Sequence, residues 1–177
     1  GPGEKNRGYD EWCRARDAHA PFKYNTRYQG KKTMFSILVP VCDPLPDWLQ
    51  ECIGSVKSQN FGQWELILSD DGSKMKYVLP ILEKAESSDP RIRFIESKER
   101  NGISFATNRA AEKACGEYLV FLDHDDILDA YALTAFAQAI KENKKNGPVD
   151  ILYADEDQFI DEACFAHKRI RLFRNLK

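Results

Sequence analysis

An α/β fold built on a mostly parallel sheet, with helices on both faces, is what this sequence predicts. Two observations carry the prediction. Strand-like apolar runs alternate with helical stripes about every thirty residues, the rhythm of βαβ units. The runs are also nearly continuous, as in strands buried on both faces. Crossovers between parallel strands are right-handed, which distributes the helices over the two faces.

Residues 4–33 are polar with a few aromatics; Tyr9 and Trp12, three apart, suit one face of a short helix, and Pro21 and Gly30 break the chain after it. Phe35-Ser36-Ile37-Leu38-Val39-Pro40-Val41 reads as the first strand, stopped by Pro44 and Pro46. Leu49, Cys52, Ile53 and Val56 then recur at helical spacing and predict a helix over 47–59. Trp64–Ser69 is the second strand, closed by Asp70-Asp71-Gly72-Ser73. Val78, Ile81 and Leu82 mark a helix over about 76–87, which Asp89-Pro90 stops.

Ile92–Ile95 is a short third strand, and Asn101-Gly102 marks a turn. The small residues Ala106, Ala110, Ala111 and Ala114 predict a closely packed helix over 104–115, with Gly116 as its stop. Tyr118–Leu122 is the fourth strand. Leu133, Phe136, Ala137 and Ile140 give another helical stripe, Val149–Ala154 reads as a fifth strand, and 158–173 as an irregular hairpin. The organisation expected is an extension over 1–33, opening on Gly1-Pro2-Gly3, which resembles a cleavage scar, and one domain over 34–177.

Composition narrows the function. With 177 residues, 42% of them hydrophobic, the chain can bury the core of one domain. A net charge of -2 gives no case for a nucleic-acid partner. Residues 1–33 and 168–177 are nevertheless basic, and the middle is correspondingly acidic. The basic ends suit solvated charge, or peripheral contact with an anionic membrane. Five cysteines without a C-x-x-C pair argue against a disulfide scaffold or a zinc site and fit a reducing cytoplasm. No apolar run reaches the roughly 20 residues needed to span a bilayer.

The most informative segment is Tyr118 to Ile127, where five apolar residues run into Asp123, Asp125 and Asp126. Like charges so close repel unless a cation sits among them, and a divalent cation prefers oxygen ligands. Asp43, Asp70-Asp71 and Asp155-Glu156-Asp157 also come after apolar runs. Parallel strands point one way, so these acids meet along the carboxyl edge of the sheet, where open α/β sheets bind ligands. Neither G-x-G-x-x-G nor G-x-x-x-x-G-K-[ST] is present, so a diphosphate would be held by metal. Asp70 could then read a nucleoside while Asp125 holds the metal. Plainer roles exist for several of these residues. Asp71-Gly72-Ser73 is a good turn, Asp43 before Pro44 could start one, Asp126 and Asp129 could cap the next helix, and His124 could fill space or contact a phosphate.

Taken together, the motifs resemble glycosyltransferase family 2, inverting enzymes of the GT-A (Rossmann-like) fold. The resemblance covers Phe35 to Asp157 and rests on Ser36–Val41, Leu68–Ser73, Asn101-Gly102-Ile103-Ser104 leading to Asn108, and Gly116-Glu117-Tyr118 through Asp126. Tyr153–Asp157 and the Tyr9/Trp12 extension are similar to the subgroup that builds bacterial surface polysaccharides. The resemblance implies a UDP- or dTDP-sugar donor and a glycan or lipid-linked acceptor. Asp43, Asp70, Asp71, Asn101, Asn108, Asp123 and His124 would bind the nucleotide-sugar, with Pro40 and Val41 lining the base pocket. Asp123 and Asp125 would hold Mg²⁺ or Mn²⁺.

Cys42 stands where members often carry an aromatic. The base expected of the family lies downstream of Lys177, so the chain reads as the donor-binding part of a truncated domain, weakly active or inactive alone and cytoplasmic. The alternative is a non-catalytic, receiver-like or nucleotide-binding module. A receiver, however, expects its acidic pair after strand one rather than strand two. An Asp-x-Asp phosphatase would carry a Thr where Ile127 stands.

Overall fold

A computed structural model describes residues 33–143 and 147–154, together with the backbone of 156–160 and 166–170. The 1–32 extension, including Tyr9 and Trp12, and Asp155 lie outside the described residues.

The central sheet has four parallel strands in the order β3-β2-β1-β4: β1 (Phe35–Val41), β2 (Trp64–Asp70), β3 (Ile92–Ile95) and β4 (Tyr118–Phe121). Both β1 and β2 are buried along their whole length, as their unbroken apolar runs require. Phe35 pairs with Trp64 on one side and with Tyr118 on the other, so β1 is the axis of the sheet. The chain winds outward from β1 to β3, then returns to the opposite side of β1 as β4. That reversal creates a topological switch point between β1 and β4.

The helices are α1 (Pro46–Lys57), α2 (Val78–Ser88), α3 (Ile103–Lys113) and α4 (Ala132–Asn143). Pro46 suits the first turn of α1, where no amide hydrogen bond is lost, and Asp47 and Lys57 sit at the ends that favour their charges. The β1 residues Phe35, Ile37, Val39 and Val41 share the main core with Leu49, Val56, Leu82 and Leu133 from α1, α2 and α4. Leu38 and Ile67 point the other way and pack with Ala110 of α3. Both faces are therefore covered, and the alanines of α3 allow the close approach their spacing predicts. Each fully buried large side chain in these layers contributes roughly 1.5–3 kcal/mol.

The C-terminal part differs from expectation. Residues 147–154 form no strand: Val149 and Leu152 pack on the core while Ile151 and Tyr153 are exposed. An apolar alternating run becomes a strand only where a neighbour supplies hydrogen bonds, and no described strand pairs with this one. The hairpin is regular, and begins earlier than expected. The two-residue β5 (Ile127–Leu128) pairs in parallel with β7 (Ala166–Ile170), which in turn pairs antiparallel with β6 (Glu156–Ile160). Glu156 and Asp157 thus open β6 instead of ending a fifth strand of the main sheet.

Candidate functional site

The carboxyl ends of β1, β2 and β4 carry the acids, as the topology requires. Pro40 and Val41 are buried at the end of β1. The chain turns at Asp43, whose φ of 47° lies in the left-handed region that a non-glycine residue enters at a cost. Its side chain repays the turn by joining loops. Oδ1 accepts from the Lys74 N–H at 2.6 Å and the Met75 N–H at 3.0 Å, and Oδ2 accepts from Arg100 Nη2 at 2.9 Å. The Asp43 N–H in turn donates to Ser73 Oγ at 3.0 Å. The Met75 N–H bond most of all, with help from Lys74 and Arg100 against partial burial, holds the Asp43 carboxyl below the usual carboxylate range.

The two aspartates ending β2 are buried but differently used. Asp71 is firmly bonded: Oδ1 accepts from the Asn101 N–H at 2.7 Å and Oδ2 from the Gly102 N–H at 2.8 Å. It therefore pins the start of α3 to the end of β2. Among the described residues Asp70 accepts only from the Ser73 N–H, at 3.3 Å to each oxygen. Its carboxylate keeps lone pairs for a ligand. Gly72, at φ 67°, allows this crowding, since a Cβ there would come within 2.6 Å of the Glu99 carbonyl carbon. Asn101 contributes its backbone to Asp71 and its side-chain amide to the Glu99 carbonyl. Asn108 is exposed more than a turn into α3, and no described hydrogen bond ties it to the other residues.

On the far side of β1, His124 is half-buried, with Nδ1 3.1 Å from the Pro40 carbonyl. A carbonyl only accepts, so Nδ1 carries the proton and Nε2 faces away. The contact ties the acidic loop to β1 across the switch point. Asp123 is exposed, Asp125 half-buried and Asp126 buried. Beneath them lies the Cys52 thiol of α1. Burial first, then the charges of Asp126, Asp125 and Asp123, push its pKa far up, so it stays protonated.

Sequence reasoning missed Arg100, which donates to Cys42 Sγ at 2.9 Å as well as to Asp43. It is a lone cation between a charged run and a turn, with nothing in its spacing to mark it. Among the described residues no group of three or more His, Cys, Asp or Glu is placed to hold a metal by itself. The oxygen donors of Asp123 and Asp125 fit a Mg²⁺-like ion that takes one or two carboxylates and completes its shell with phosphate oxygens and water. No helix among the described residues is long and apolar enough to cross a membrane.

The model of glycosyl transferase family 2 matches residues 36–162. The O-antigen biosynthesis protein RfbC of Myxococcus xanthus is 30% identical over 154 residues, 84% of this chain and 12% of that protein. The first curated relatives are far longer than this chain, which spans 15% of one and 12% of the other. Among solved structures, residues 1–349 of Staphylococcus aureus TarS in complex with UDP-GlcNAc superpose with a TM-score of 0.58 at 26% identity, covering 63% of this chain and 32% of that one. The mannosyltransferase PcManGT of Pyrobaculum calidifontis, in complex with GDP-Man and Mn²⁺, gives a TM-score of 0.53 at 21% identity, over 71% of this chain and 38% of that one, a likeness of fold alone.

Proposed function

The chain belongs to glycosyl transferase family 2, and from that premise we propose that it forms the donor-binding part of an inverting, metal-dependent glycosyltransferase of bacterial surface-polysaccharide synthesis. The donor is a UDP- or dTDP-sugar and the acceptor a glycan or lipid-linked glycan, with the enzyme acting in the cytoplasm. The observation that carries the reading is the division of acids by β1: Asp70 stands at the end of β2 with spare acceptor capacity, and Asp123 and Asp125 stand beyond β4. The UDP-GlcNAc complex of TarS supports a nucleotide-sugar as the ligand class.

In this reading Asp70 accepts from the nucleoside while Pro40 and Val41 back the base. Asp43 and Asp71 shape the pocket through the loops they hold. Asp125, with Asp123, holds Mg²⁺ or Mn²⁺ together with diphosphate oxygens, the oxygen-rich shell such ions prefer. When bound, the metal supplies Lewis-acid stabilisation of the departing diphosphate. Inversion needs an in-line attack by an acceptor hydroxyl assisted by a base.

Calorimetric titration of UDP and dTDP, with and without Mn²⁺, on wild type and Asp125→Ala tests the reading. Mn²⁺ should tighten wild-type binding and leave Asp125→Ala unchanged. Equal affinity in all settings sinks the metal–diphosphate reading.

A further inference from the structure

The acidic cluster sits on a segment, residues 122–131, that contains only the two-residue β5 as regular structure. Much of what fixes it relative to the sheet is α1. Cys52, Ser55 and Gln59 lie three and four residues apart, the spacing of one helical face, with Gln59 just past the helix end. All three are buried. All three bond the backbone of the segment, in matching order. Cys52 Sγ donates to the Asp123 carbonyl at 3.5 Å. Ser55 Oγ, itself donating to the Cys52 carbonyl at 2.7 Å, accepts from the Leu128 N–H at 3.1 Å. Gln59 donates to the Asp129 carbonyl at 2.7 Å and accepts from the Leu133 N–H at 3.2 Å. The Asn60 N–H continues the series to the Ala130 carbonyl at 2.9 Å.

Continuous packing does not do this work alone. An open surface cleft of about 350 Å³ runs beside the rungs, lined by Glu51, Ser55, Ser58, Ile127, Leu128 and Asp129. The polar side chains bridge α1 and the segment between this cleft and the buried Val56, Leu122 and Leu128. They also satisfy backbone groups that an irregular buried segment would otherwise leave unpaired.

We propose that Cys52, Ser55 and Gln59 form a positioning ladder that sets the Asp123–Asp126 loop against the end of β1, and so fixes the metal end of the nucleotide site. The proposal rests on the donor-site reading. The three are positioning residues that act through the loop backbone; none is given a contact with substrate. The chemistry of each rung suits the task. A thiol is a donor to a carbonyl, and a primary amide both donates and accepts.

The test uses Ser55→Ala, Gln59→Leu and the hydroxyl-retaining Ser55→Thr, with amide hydrogen exchange and calorimetry on each. In Ser55→Ala and Gln59→Leu, exchange at Leu128 and Leu133 respectively should rise about fivefold, the equivalent of one lost hydrogen bond. The Mn²⁺-dependent gain in UDP affinity should fall by a similar factor, while metal-free uridine binding stays at the wild-type value. Ser55→Thr should restore both. Unchanged exchange in the two disruptive variants overturns the ladder. A loosened loop with the full Mn²⁺ gain, or a parallel loss of metal-free uridine binding, overturns its positioning role. Should wild type itself show no Mn²⁺ gain, the donor-site reading fails and takes the metal clause with it, while exchange still decides whether the ladder holds the loop.

Discussion

The Asp71 carboxylate and the Gly102 amide, 2.8 Å apart, join the end of β2 to the first turn of α3. With the Asn101 N–H on its other oxygen, Asp71 holds that junction through both oxygens. Its neighbour Asp70 is equally buried yet weakly bonded. The two aspartates should therefore separate in experiment. Asp71→Ala leaves two backbone donors unpaired and is expected to lower stability by about 1–3 kcal/mol in chemical denaturation. Asp70→Asn keeps the shape and much of the acceptor capacity toward Ser73. It is expected to change stability less and to weaken uridine binding in calorimetry, with or without metal.

Acid should reveal the Asp43 latch. Its folded carboxyl lies below the usual range, chiefly through the Met75 N–H bond, then Lys74 and Arg100. An unfolded Asp titrates near ~3.9. The unfolded state therefore binds the proton first, so the stability this group contributes is complete above about pH 4 and is lost as pH falls through the folded value. Asp89, held down by its hydrogen bond from Arg91, and Glu65 act in the same direction. Denaturant melts between about pH 5 and 2 should show a shallower acid limb for Asp43→Asn than for wild type. Parallel limbs would mean that the latch opens in solution.

The sheet and the convergence of acids were legible because both arise from period and direction alone. Continuous apolar runs identified β1 and β2, and parallel winding brought Asp43, Asp70 and Asp123 to one edge. The features that were not legible depend on partners distant in sequence. Nothing local tells Asp70 from Asp71; only the arrival of the Asn101–Gly102 turn does. Nothing in their own stretch of sequence marks Ser55 and Gln59, because their partners lie about seventy residues on. Val149–Ala154 has the residues of a strand and lacks the neighbour, while β5 is too short for any periodicity to show.

A second buried charge sits at the opposite end of the sheet. Glu65 Oε1 accepts from Ser36 Oγ at 2.5 Å and from the Cys115 N–H at 2.7 Å, and Oε2 accepts from Arg93. Ser36 Oγ also accepts from the Gly116 N–H at 2.8 Å, where a Cβ on Gly116 would come within 2.6 Å of that oxygen. The cluster stitches the α3–β4 connection to β1 and β2. Burial alone would raise the Glu65 pKa, and the donors from Ser36, Cys115 and Arg93 reverse it. Glu65→Leu should cost about 1–3 kcal/mol by leaving the buried Ser36 hydroxyl unpaired, with less from Cys115, which is exposed, and Arg93, which is half-exposed. UDP affinity of the folded fraction should not move. A loss of affinity with unchanged stability would place Glu65 in the site's machinery.

The outer edge of β4 makes the remaining prediction. Among the described residues β4 pairs with β1 alone, and Phe121 on it is 65% exposed. Leu119, Ile151 and Tyr153 are exposed as well. An apolar strand with a free edge is a template for unwanted pairing. Phe121→Lys, at a position already open to water, should shift stability by no more than about 0.5 kcal/mol. It should also raise the protein concentration at which light scattering begins, because a charge on an edge strand opposes edge-to-edge pairing. The control is stability itself: if Phe121→Lys cost more than about 2 kcal/mol, the ring would have to be covered in solution, and the exposed edge would be the surface that covers it.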